Sequence, residues 1–126
     1  MTRQRADDGE GYFESSYTTV RQARAAIAQL VPDEELRQRA VLVVSELATN
    51  AVLHAEAPFV LRAWRRGGSL RVELEDCSPV LPVLVGETTM SGRGLRIVEA
   101  LSSQWGARPQ GVGKVVWAEL SAAPRP

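Results

Sequence analysis

Two strand-like segments, FVLRAWRR (59–66) and SLRVELED (69–76), flank the pair Gly67-Gly68. Two glycines between such segments are typical of a tight β-hairpin. A lone hairpin is barely stable in water, so the rest of the chain must supply strands or helices that cover its apolar side. This feature commits the chain to a fold that contains an antiparallel sheet.

Two helices are predicted before this hairpin. Thr18 or Thr19 is placed to cap a helix that runs to about Leu30 and is closely followed by a proline. Asp33 is placed to cap a longer helix over residues 34–55. The chain therefore has helical segments available to cover one face of a sheet.

The remaining elements complete a layered domain. They are an edge strand YFESSY (12–17), a loop over 78–91, a helix over 94–103, and a second hairpin from QWGARP and GKVVWAEL. This order predicts an α+β two-layer sandwich, with a mixed, mainly antiparallel sheet and helices on one face. We expect a flexible N-terminus over 1–10, one domain over 11–121 and a tail over 122–126.

Composition narrows the function. The 126 residues suffice for one domain, and 15 basic residues balance 15 acidic ones. Without a basic surplus, neither nucleic acid nor an anionic membrane is an expected partner. The single cysteine, Cys77, excludes an internal disulfide, and no apolar run approaches the roughly 20 residues of a membrane span. We expect a cytoplasmic location.

A row of polar residues runs along the long helix. Glu46, Asn50 and His54 are spaced four apart and form one stripe at the border of the apolar face. A carboxylate beside an amide is suited to a divalent cation such as Mg²⁺, which binds oxygen ligands. The alternative is a solvated Glu and Asn, with a histidine satisfied inside the core.

Asp76 stands on an unexpected side of its strand. It continues the parity of Leu70, Val72 and Leu74, so its carboxylate faces the core side and needs a hydrogen-bonding partner there. The amino group of a purine would serve. The alternative is that the strand ends at Glu75 and Asp76 begins a turn. We expect the neighbouring Cys77 to be a small buried apolar residue.

Two glycines, Gly92 and Gly94, come just before or at the start of the helix that follows the loop. Glycines allow close approach of the backbone to a phosphate, and free N–H groups at a helix start favour an anion. Ser91 is placed to cap this helix, and Arg93 adds positive charge. The alternative is an ordinary turn, since neither a Walker loop nor a Rossmann fingerprint is present.

In order and spacing these motifs resemble the Bergerat-fold (GHKL) ATPases over about residues 12–120. ELATNAVLHA is similar to their N-box, DCSP to their first glycine box and GRGL to their second, while 77–91 matches a short ATP lid. The layout resembles in particular the single-domain anti-sigma-factor serine/threonine kinases of bacteria. The resemblance implies a histidine-kinase-like ATPase fold.

The resemblance also implies roles for individual residues. Glu46 would be the general base that activates the attacking hydroxyl, Asn50 would ligate Mg²⁺ beside the ATP phosphates, and Asp76 would hydrogen-bond the adenine amino group. The other residues implied to bind the nucleotide are His54, Ser78, Gly92, Arg93, Gly94, Leu95 and Lys114. The implied partners are a STAS-type anti-anti-sigma protein, phosphorylated on serine or threonine, a sigma factor, and a second copy in a homodimer.

Two departures from the family pattern leave a second function open. The first glycine box usually reads D-x-G-x-G, but here Ser78 and Val80 replace its glycines. Val115 stands where a threonine often helps to hold the adenine. A non-catalytic nucleotide-binding or protein-interaction switch is therefore the alternative to a kinase. In that case the apolar loop 78–91 is as suited to a partner surface as to a lid.

Overall fold

The structure is a computed structural model, and it describes residues 3–7, 10–54, 57–79 and 90–122. Its three helices and six strands follow in chain order as β1 (Arg3–Asp7), β2 (Glu10–Tyr17), α1 (Val20–Leu30), α2 (Glu34–His54), β3 (Phe59–Arg66), β4 (Ser69–Asp76), α3 (Met90–Leu101), β5 (Gln104–Gln110) and β6 (Gly113–Ser121). No helix in these ranges is long and apolar enough to cross a membrane.

The six strands form one sheet in the order β1-β2-β3-β4-β6-β5, and all five pairings are antiparallel. Both predicted hairpins are present. Gly67 and Gly111 sit in their two-residue turns with φ of 57°, a left-handed conformation that costs glycine little. Pairing of β4 with β6 joins the two hairpins side by side, with β5 at one edge of the sheet.

Both predicted helix caps form. The Thr19 hydroxyl accepts from the backbone N–H of Gln22 at 3.1 Å, and the Gln22 side chain accepts in return from the Thr19 N–H at 3.2 Å. This capping box starts α1. The Asp33 carboxylate accepts from the backbone N–H of Leu36 at 2.8 Å and starts α2.

The helices cover one face of the sheet, which we call the inner face. Helix α2 contacts β3, β4 and β6 and lies between α1 and α3. Side chains of α1, α2 and the central strands close the core between the layers, including Ile27, Val44, Leu61, Val72 and Ala118. The predicted two-layer α+β arrangement is confirmed.

The opposite, outer face of the sheet carries aromatic rings and ion pairs. Tyr12 and Trp64 contact each other with ring centroids 5.4 Å apart. The Arg71 guanidinium lies 4.5 Å from the Trp117 ring centroid and pairs with Glu119 at 2.6 Å and with a second carboxylate, Glu73, at 3.0 Å. A cleft on this side is lined by several of these residues, together with the ends of β2 and β6.

Three local predictions differ from the structure. Arg3–Asp7 within the expected flexible N-terminus pairs with β2, because main-chain bonding at a sheet edge needs no apolar pattern. The strand containing residues 12–17 is consequently internal rather than an edge strand. Helix α3 begins at Met90, four residues before the predicted start at Gly94. Its contact with α2 outweighs the low helix propensity of two glycines.

Candidate functional site

The C-terminal end of α2 and the end of β4 lie at the same end of the domain. Helix α2 ends at His54, and β3 begins only five residues later, at Phe59. At that end of β3, Val60 pairs with Glu75, the neighbour of Asp76. The chain reversal between helix and strand therefore brings the polar row of α2 to the sheet end that carries Asp76.

The Glu46 side chain of α2 lies against the second glycine motif. A Cβ placed on Gly94 would lie 2.7 Å from Oε2 of Glu46, so the carboxylate rests on the glycine backbone of α3. Gly94 is buried and Glu46 is half-buried. One turn further along α2, Asn50 is 7% exposed. The structure thus brings the predicted carboxylate against Gly94 in the first half of α3, and it buries the predicted amide one turn away on α2.

Helix α3 includes the rest of the glycine motif. Gly92 and Arg93 lie in its first turns as backbone, while their side-chain surroundings, like those of His54, are outside the described residues. Ser91 is the second residue of α3, so its predicted role as the cap is wrong. Leu95 is fully buried. The first turn of a 12-residue helix has N–H groups without a partner inside the helix and a positive dipole end, both suited to an anion.

Asp76 lies inside β4 and faces inward, as its parity predicts. The alternative, a strand that ends at Glu75, is wrong, because Asp76 pairs with Lys114 of β6. The Lys114 ammonium lies 2.9 Å from Oδ2 and 3.0 Å from Oδ1, and the two side chains are 2% and 1% exposed. Oδ1 also accepts from the backbone N–H of Ser78 at 2.8 Å. The buried carboxylate thus has partners within the chain.

The residue of β6 that faces Asp76 is Lys114, one residue before Val115. Val115 pairs with Glu75. Because alternate side chains of a strand point to opposite faces, Val115 faces away from the Asp76 carboxylate. The structure therefore places a charged donor, rather than an apolar side chain, at this point of the sheet.

Gly113 brings β6 close to the end of β4. A Cβ at this position would collide with the Asp76 carbonyl oxygen and stand 2.7 Å from the Cα of Cys77. Sequence reasoning did not single out Gly113, although two glycines flanking Val112 in GVGK are a visible signal of close approach. Cys77 itself is exposed, so the prediction of a buried cysteine is wrong. Its side chain turns outward where the backbone bends away from the strand.

Comparison with known proteins identifies this arrangement. The family model of the histidine kinase-like ATPase domain matches residues 13–120. The chain belongs to this family. A search of the curated proteins found no significant match. The matched range contains every motif of the site, from the polar row of α2 to Lys114.

Domains of the histidine kinase-like ATPase family bind ATP, usually with Mg²⁺, and the donors here fit both. Among the described residues, no group of three or more His, Cys, Asp or Glu side chains could hold a metal ion by itself. Mg²⁺ commonly takes one or two protein oxygens and completes its shell with phosphates and water. The Asn50 amide oxygen would be such a ligand, and Asp76 would accept from a base amino group. The missing Cβ of Gly94 leaves room for the Glu46 carboxylate between the helices.

Most of the predicted lid lies outside the described residues. The apolar part of the loop, including Val80 and the other residues of 80–89, is outside the described residues. Ser78 is described and buried, and its backbone contacts Asp76 and Lys114. The outer-face cleft lined by Tyr12, Trp64 and Arg71 is on the other side of the sheet from the inward-facing Asp76.

Proposed function

We propose that the chain is an ATP-binding regulator of the anti-sigma-factor type. It phosphorylates a serine or threonine of a STAS-type anti-anti-sigma protein, sequesters a sigma factor, and works as a cytoplasmic homodimer. The observation that supports catalysis best is the position of the Glu46 carboxylate against Gly94, with Asn50 one turn away. The carboxylate stands against the first half of a helix whose N-terminus suits phosphates.

A protein catalyses phosphoryl transfer mainly by positioning the reactants and neutralising their charge. In this site Glu46 accepts the proton of the attacking hydroxyl, and the Asn50 side-chain oxygen ligates Mg²⁺. The N–H groups at the start of α3 hold phosphate oxygens. Asp76 accepts a hydrogen bond from the adenine amino group and orients the nucleotide.

The first experiment is calorimetric titration of the purified protein with ATP and Mg²⁺. The parent should bind ATP with a dissociation constant in the micromolar range. Asp76→Asn should weaken binding, and Asn50→Ala should remove its dependence on Mg²⁺. Absence of binding at millimolar ATP would contradict the proposal.

Catalysis is tested separately with STAS-type proteins as phosphate acceptors. Glu46→Gln should retain ATP and lose transfer by about 100-fold or more, the range of general-base contributions. Glu35→Gln on the same helix, which removes a carboxylate paired with Arg39 near its start, is the matched control and should phosphorylate normally. Equal transfer by Glu46→Gln and the parent would refute the base assignment.

A second function, a non-catalytic switch that binds nucleotide and protein partners, is favoured by one observation. The Asp76 carboxylate is already paired with a buried lysine, in a turn that lacks the glycines of D-x-G-x-G. In that case ATP binds, partner binding depends on nucleotide, and no phosphate is transferred by the parent or by Glu46→Gln.

A further inference from the structure

The hydrogen bonds of the Asp76–Lys114 pair are distributed unevenly between the two carboxylate oxygens. Oδ1 accepts from the Lys114 ammonium and from the Ser78 N–H, at 3.0 and 2.8 Å. Among the described residues, Oδ2 has the ammonium as its one partner, at 2.9 Å. A carboxylate oxygen has two acceptor directions. Oδ2 therefore retains one direction for a donor outside these contacts, whereas both directions of Oδ1 are engaged.

The Lys114 ammonium, in contrast, is directed at groups of its own chain. It donates hydrogen bonds to Oδ1 of Asp76 at 3.0 Å and to the Ser78 carbonyl at 3.4 Å, and it lies 2.9 Å from Oδ2 as an ion-pair partner. The side chain is 2% exposed. The lysine is therefore held against Asp76 and Ser78.

The same lysine fixes the turn that follows β4. Its contacts with Asp76 and with the Ser78 carbonyl, together with the Ser78 N–H donating to Asp76, tie both main-chain polar groups of Ser78 to the end of the strand. This turn has Ser78 where D-x-G-x-G has a glycine. Bonds from Lys114 therefore set the geometry of a turn whose sequence has lost its glycines.

We propose that Lys114 is a positioning residue for nucleobase recognition: it orients the Asp76 carboxylate so that Oδ2 accepts from an exocyclic amino group of the base. The proposal rests on the proposed nucleotide binding and goes beyond it by assigning the basis of base selectivity. A base with an amino group at this edge gains a hydrogen bond. A base with a carbonyl there brings an acceptor against the carboxylate and forms no such bond.

The test compares ATP with inosine triphosphate, whose base has a carbonyl in place of the amino group and a hydrogen on the neighbouring ring nitrogen. Calorimetry with Mg²⁺ should show that the parent prefers ATP by about tenfold or more, the equivalent of one net hydrogen bond. Lys114→Gln shortens the side chain, removes its charge and keeps an amide donor. It should lose most of this preference and bind ATP more weakly.

Lys114→Met leaves the Asp76 charge without its ion-pair partner and is expected to destabilise the fold. The nucleotide preference is therefore measured on Lys114→Gln, whose folding is checked by circular dichroism. Amide hydrogen exchange of the ATP-free protein supplies a second measurement. The Ser78 amide should exchange faster in Lys114→Gln than in the parent. Arg108→Met, which removes an arginine paired with Glu73 on the outer face, is the control and should leave the nucleotide preference and Ser78 exchange unchanged.

The outcomes separate this proposal from the general function. An unchanged ATP preference in Lys114→Gln overturns the positioning role while ATP binding stands. Tighter ATP binding by that variant also overturns it, because Lys114 would then be competing with the base for Asp76. If the parent itself binds no ATP at millimolar concentration, the nucleotide function and the positioning role fall together.

Discussion

The Glu46 carboxylate and the α-carbon of Gly94, on different helices, are so close that a Cβ on Gly94 would stand 2.7 Å from Oε2. The atom in the way is the far end of a flexible side chain and can turn aside. The contact therefore constrains where the carboxylate lies more than whether the domain folds. It makes Gly94 a position where stability and activity can be separated.

Gly94→Ala should leave the domain folded and impair catalysis. Alanine gains up to about 1 kcal/mol of helix propensity over glycine, which offsets the cost of displacing the carboxylate. The displaced Glu46 no longer meets the attacking hydroxyl, so phosphate transfer should fall while the free energy of unfolding stays within about 1 kcal/mol of the parent. Urea denaturation and the transfer assay measure the two effects. A variant with normal transfer would show that this contact does not position the carboxylate.

Gly113→Ala should behave in the opposite way and destabilise the fold. Here the atoms in the way belong to the backbone of Asp76 and Cys77, which cannot rotate aside. We expect a loss of about 3 kcal/mol, the upper range for overpacking, measured by chemical denaturation. Gly111→Asn is the control, because asparagine tolerates the left-handed φ of 57° in that turn. Equal stability of the two variants would contradict the close approach of β6 to β4.

Cys77 offers a direct probe of the nucleotide site. It is the sole cysteine, it is exposed, and it follows Asp76 in the chain. Alkylation by a maleimide, followed by mass spectrometry, should proceed readily in the ATP-free protein and slow on addition of ATP and Mg²⁺. The protection should weaken in Asp76→Asn at the same nucleotide concentration. Equal rates with and without saturating ATP would place the base away from this strand end.

The core should respond to truncation as a close-packed interior does. Leu61→Ala, at a fully buried position on β3, should cost about 2–5 kcal/mol of unfolding free energy. Leu53→Ala on α2, where the leucine is 58% exposed, should change it by about 0.5 kcal/mol or less. Thermal and urea denaturation compare the two. A similar loss at both positions would mean that Leu53 is covered in solution.

The features that the sequence predicts well are those decided by a few adjacent residues. The glycines at 67 and 111 and the caps Thr19 and Asp33 act within four residues of themselves, so hairpins and helix starts can be predicted from local sequence. The inward parity of Asp76 follows from the strand period and is likewise correct.

The features that were missed depend on contacts distant in sequence. The partner of Asp76 is set by the register of β4 against β6, across 38 residues of chain, and one step of register separates Lys114 from Val115. The early start of α3 depends on packing against α2, which local propensity does not report.

The outer face of the sheet has a consequence for the behaviour of the protein in solution. Arg71 covers the Trp117 ring and is held there by two carboxylates, so ion pairs shield an aromatic surface on the face of the sheet opposite the three described helices. Such pairs weaken as salt screens them, and exposed aromatic surface promotes self-association. We therefore expect the solubility of this domain to fall as ionic strength rises, because Arg71 then covers the Trp117 ring less firmly. Storage at low salt preserves the ion pairs of Arg71.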